Sequence, residues 1–135
     1  MFFKRVLVLF CVLSSYSAYA FEKTNDFENL FSKSMILIIK SDFSIFKNKN
    51  TKQRQMLNQS LTKYSSCISY NTSQYLSYHD KQKIALDLKE IIDAESFSIN
   101  ELKKYLATGK IASIHKKYKE LNDSLSLCAM ESGLN

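Results

Sequence analysis

The chain has 135 residues, a formal charge of +6 at pH 7, no proline, no tryptophan and two glycines. That length supports one modest core, so a single domain is expected. The basic excess is too small to argue for nucleic acid, and it falls further once Lys4 and Arg5 are discounted as part of a leader.

Residues 1–20 read as a secretory signal peptide. Lys4 and Arg5 are its positive start, and Val6 to Leu13 form an unbroken apolar stretch. The segment then turns small and polar and ends in Ala18-Tyr19-Ala20. The small side chains of Ala18 and Ala20 suit a peptidase that cleaves after Ala20. The apolar stretch is shorter than the roughly 20 residues that span a bilayer. A lipoprotein would need small residues before Cys11, where Leu9 and Phe10 stand. The expectation is a periplasmic or secreted protein with no membrane association after cleavage, and one helical domain over 21–135.

With Cys11 removed, Cys67 and Cys128 remain. An even pair in an oxidising compartment reads as a disulfide. It would close a loop of about 60 residues, for which chain entropy suggests about 4 kcal/mol. A metal pair or a catalytic thiol would need partners that are not evident nearby.

The scarcity of proline and glycine, with apolar steps of three and four, favours helices throughout. A first helix is predicted from Asp26, as N-cap, to Ser41, with Phe27, Leu30, Phe31, Ser34 and Ile38 on one face. A second is predicted over 52–70, with Leu57, Leu61, Tyr64 and Ile68 in a stripe and Cys67 beside it. Residues 71–79 read as a break. Asp80 is the expected N-cap of a third helix that buries Ile84, Leu88, Ile91 and Ile92. Ser98-Ile99-Asn100-Glu101 has the form of a capping box, with Phe97 and Leu102 as its hydrophobic staple. Gly109 is the expected left-handed end of that fourth helix. Ile111, Ile114, Tyr118, Leu121, Leu125 and Cys128 then make one continuous seam ending at Gly133. The fold class is all-α, a small bundle of about five helices with one disulfide.

Catalytic and metal signals are thin. His79 reads as a loop residue, and a Cys67–His115 nucleophile pair competes with the disulfide. Asp87, Glu90, Asp93 and Glu95 read as a solvated face. No catalytic residue, metal site or cofactor is expected, and the chain is not read as an enzyme. The basic residues fall in two runs: Lys47, Lys49, Lys52, Arg54 and Lys63, then Lys103, Lys104, Lys110, Lys116, Lys117 and Lys119. The first lies in an acid-free stretch from Phe43 to His79. Such segregation can steer a charged partner, although solvated helix faces are the plainer reading. Tyr64, Tyr70, Tyr75 and Tyr78 alternate with Ser65, Ser66, Ser69, Ser73 and Ser77, a composition suited to recognition surfaces. Partner contacts are expected on loops, at Tyr75, Tyr78, Gly109 and Lys110.

The half from Cys67 onward resembles the periplasmic immunity proteins that neutralise type VI secretion amidase effectors. The resemblance rests on Cys67-Ile68-Ser69-Tyr70, Asp80 with Ala85, Glu95-Ser96-Phe97, Lys103-Lys104-Tyr105-Leu106, Tyr118 with Leu121, and Leu127-Cys128. It implies a small, exported, disulfide-linked helical protein, homodimeric in assembly, that occludes the cleft of a papain-like peptidoglycan amidase. The partner would be that cognate effector. The family's longer glycine-containing loop is replaced by Thr108-Gly109-Lys110, and the segment from Phe21 to Asn50 has no counterpart. The alternative reading is a small periplasmic acid-stress chaperone or another secreted helical binding protein. A host-directed virulence protein is a third.

Overall fold

Two phenylalanines one turn apart begin the described chain. In a computed structural model, which describes residues 26–134, Phe27 and Phe31 are fully buried and stack with ring centroids 5.5 Å apart. They lie on helix α1, residues 26–40. The expected leader, its Ala18 and Ala20 cleavage site and the domain start near Phe21 lie outside the described residues. A 3-10 turn at Phe43–Phe46 follows, capped by the Asp42 carboxylate, which accepts from the Ser44 amide at 3.1 Å. Five more α-helices complete the described residues: α2 Thr51–Ser73, α3 Tyr78–Asp93, α4 Ile99–Thr108, α5 Lys110–Lys117 and α6 Lys119–Ser132. No strand occurs among them. The all-α class holds, with one helix more than expected.

Helix α2 is the spine. It starts at a capping box that the sequence reading placed elsewhere. Asn50 Oδ1 accepts from the Gln53 amide at 2.9 Å, and Gln53 Oε1 accepts from the Asn50 amide at 3.0 Å. These bonds satisfy donors that a helix start leaves open. One flank of α2 meets α1 antiparallel: Ser32 Oγ donates to Ser65 Oγ at 2.9 Å, and Ser73 Oγ donates to Glu28 Oε1 at 3.1 Å. Ser65, Ser69, Thr72 and Ser73 are all buried here. Their small size permits close helix approach; local carbonyls accept from the serine hydroxyls, whereas Thr72 Oγ1 pairs with His115 Nε2 at 3.2 Å. Ser69 donates to the Ser65 carbonyl at 2.7 Å, and the single Ser73 hydroxyl proton is shared between Glu28 and the Tyr70 carbonyl, which lies 2.7 Å from Oγ. The alternating Tyr and Ser residues are therefore not one recognition surface, because three of the serines lie inside.

The other flank of α2 meets α6. Cys67 and Cys128 are joined in the expected disulfide, with their Cα atoms 5.7 Å apart. Asn71 Nδ2 donates to the Cys67 carbonyl at 2.9 Å beside the bridge. One core runs through the bundle, from Phe27 and Phe31 through Ile68, Leu88 and Leu102 to Leu121 and Cys128.

Four local expectations are corrected. Helix α2 continues past Tyr70 to Ser73. The cap of α3 is Ser77, whose Oγ accepts from the Asp80 amide at 3.1 Å, and Asp80 sits in the first turn, where its charge favours the helix dipole. Ser98 does occupy the cap position of α4, but its side chain makes no capping bond, and Phe97 is 39% exposed. The seam over 111–128 is not one helix. It breaks at Tyr118, whose backbone is extended (φ −109, ψ 105). The break lets α5 pack on α4 while α6 packs on α2. A straight rod could not follow both. Ile111, Ile114, Leu121 and Cys128 are still buried, so the periodic residues keep their role across the kink. Gly133 ends α6, as expected, and takes the left-handed conformation (φ 77) to do so.

Candidate functional site

Helix α5 lies along the corner between α2 and α3, and three contacts mark its path. Lys110 Nζ, at its start, is 3.6 Å from Asp80 Oδ2 in the first turn of α3. His115 Nε2 is 3.2 Å from Thr72 Oγ1 near the end of α2. Tyr118, just past its end, sets its ring 4.8 Å from that of Tyr75 in the α2–α3 turn. These contacts gather the expected partner residues around one corner, although they are far apart in sequence.

The four residues play different parts there. Tyr78 is 46% exposed, and its hydroxyl accepts from Gln82 Nε2 at 2.8 Å, one turn along α3. That bond holds the ring on the surface in one orientation. Lys110 is exposed beside Asp80. Tyr75 is half-buried and packs against the core through Tyr118, so it braces the turn more than it offers a free ring. Gly109 is not the left-handed cap expected of it, because its φ is −91. A side chain is excluded there by crowding. A Cβ would lie 2.9 Å from the Tyr105 carbonyl oxygen, which already accepts from the Gly109 amide.

Sequence reasoning missed Tyr118 and Lys117 as members of this corner. Lys117 Nζ stands 5.1 Å from the centre of the Tyr118 ring, a cation–π contact. No glycine or proline marks the break that turns Tyr118 toward Tyr75, and the seam periodicity concealed it. The pairing of Thr72 with His115 had no sequence signal either. Burial holds the His115 imidazole below its ordinary pKa, so the neutral ring is favoured.

A second polar cluster ties α3 to α4. Asp87 Oδ2 accepts from Lys83 Nζ at 2.9 Å and from the Tyr105 hydroxyl at 2.8 Å. The Lys83 hydrogen bond, aided by that of Tyr105, keeps the Asp87 carboxyl below its usual range, while burial and the neighbouring carboxylate raise the Tyr105 phenol. This arrangement fastens two helices together.

Cys67 is spent in the disulfide, so the Cys67–His115 nucleophile pair does not exist. Among the described residues, no group of three His, Cys, Asp or Glu side chains is placed to hold a metal ion. No described helix is long and apolar enough to cross a membrane. Every buried side-chain nitrogen and oxygen among the described residues has a hydrogen-bond partner. Comparison with family profiles, curated proteins and solved structures gives no match.

Proposed function

We propose that the chain acts by binding another protein, as a periplasmic immunity protein that occludes the active site of a type VI secretion peptidoglycan amidase. The observation that carries the reading is the α2–α3–α5 corner. There an oriented, exposed Tyr78 lies two residues from the Asp80–Lys110 pair, on a bundle clamped by a disulfide. An aromatic ring held in place beside a charged pair binds with little ordering cost, the economy that makes tyrosine a common anchor at interfaces. The resemblance over the half from Cys67 onward supplies the partner class.

The test begins with the adjoining gene. A small papain-like amidase encoded there should bind the oxidised protein and lose its peptidoglycan-cleaving activity at stoichiometric ratio. Tyr78→Ala with Lys110→Glu should weaken inhibition by about tenfold or more, since hot-spot losses reach 2 kcal/mol and above. No inhibition of that amidase, and no rescue of cells expressing it in the periplasm, would overturn the reading. Unfolding or dissociation at strongly acidic pH that exposes the core and protects other proteins without a specific partner would favour the chaperone instead.

A further inference from the structure

The acid-free stretch from Phe43 to His79 folds into something more particular than a solvated face. Lys40, Ser44, Phe46, Lys47, Arg54 and Asn58 line a hollow where α1, the 3-10 turn and α2 meet. From Arg54 and Asn58 the exposed face of α2 continues past Gln55 and Gln59 to Lys63. The cations along this groove are exposed, and the two ion pairs found among the described residues, Lys83–Asp87 and Lys110–Asp80, both lie elsewhere. Arg54 is held by its Nε, which donates to the Lys49 carbonyl at 3.0 Å. Its terminal nitrogens make no hydrogen bond among the described residues, so the guanidinium is oriented and open. Asp42, the acid just before the stretch, is engaged with the Ser44 amide.

We infer that this groove docks an acidic segment of extended polypeptide. Lysine and arginine on both sides of a hollow select carboxylates, and Arg54 can take one with two parallel bonds. The amides of Gln55, Asn58 and Gln59 carry both donors and acceptors, which matches the one donor and one acceptor that each peptide unit presents. From Arg54 to Lys63 the helix rises about 14 Å at 1.5 Å per residue, the span of about four extended residues. A bilayer surface is flat and offers no matching ridge. The groove lies at the opposite end of α2 from the Tyr75–Tyr78 turn, so it does not depend on the amidase reading, and failure here would leave that reading standing.

The test is fluorescence anisotropy of a labelled oligoglutamate peptide with the oxidised protein, alongside phosphatidylglycerol vesicles and polyphosphate. The peptide should bind, more weakly as salt rises. Lys47→Gln with Arg54→Gln should weaken binding by about tenfold or more, since hydrogen bonds to charged groups are the strong ones. Lys116→Gln with Lys119→Gln removes the same charge from exposed positions at the far end of α2 and should leave binding within about twofold. Absence of peptide binding would overturn the inference, as would equal weakening by both double variants. Tighter binding to vesicles or polyphosphate than to the peptide would overturn it in favour of a phosphate ligand.

Discussion

His115 shows how burial decides a residue's behaviour. On sequence it is a boundary histidine followed by Lys116 and Lys117. In the fold its ring is half-buried with Nε2 at Thr72, and burial lowers its pKa. Below the unfolded value of about 6.5 the unfolded chain therefore binds more protons than the folded one. The stability that neutral His115 contributes is full above that value. It is lost progressively as pH falls toward the lowered folded value. Urea midpoints should drop between about pH 7 and pH 5, and His115→Gln should flatten that part of the profile. An unchanged slope in the variant would show that other groups carry it. Gly109 makes a related point. Its value lies in the close approach of the Tyr105 carbonyl, not in a left-handed φ. Gly109→Ala should destabilise by about 1–3 kcal/mol through crowding, read as a lower urea midpoint at constant slope.

At the scale of elements, the helix starts divide sharply. Asn50 and Gln53 cap each other, whereas Ser98 makes no side-chain cap bond. Asn50→Ala should therefore cost about 1 kcal/mol, and Ser98→Ala should cost measurably less in the same denaturation assay. Equal losses would mean that the two caps contribute alike. Both starts have the right letters, because Asn-x-x-Gln and Ser-x-x-Glu are both capping signatures. Letters alone do not say which residue turns its side chain toward the backbone. The same limit explains the last helices. The seam from Ile111 to Cys128 was legible as a buried stripe, and its residues are buried or half-buried. The kink at Tyr118 was not legible, because no breaker residue stands there and the cause is the divergent packing of α5 and α6.

Across the whole molecule, the disulfide connects the spine to the C-terminal helix over a sequence separation of 61 residues. Reduction, or Cys67→Ser with Cys128→Ser, should lower stability by about 4 kcal/mol if the unfolded chain is the main thing constrained. Calorimetry of the oxidised and reduced forms checks this. A difference below about 1 kcal/mol would mean that the α2–α6 interface holds without it.

The sequence by itself determined the helical class, the pairing of Cys67 with Cys128, the core residues on α1 and along the final seam, and the end of α6 at Gly133. These follow from the near absence of breakers, apolar spacing, the two cysteines that lie outside the expected leader, and a glycine free to take positive φ. Only the tertiary structure decided that Ser65, Ser69 and Ser73 face inward. It also turned Tyr75 onto Tyr118, set Lys110 beside Asp80, and formed a cationic groove from three separate elements. A serine is small enough for an interface and polar enough for a surface, and a lysine or tyrosine takes its partner from whichever helix passes by. Such residues acquire their role from neighbours distant in sequence, and the packing of α1 and α6 on the two flanks of α2 supplies those neighbours.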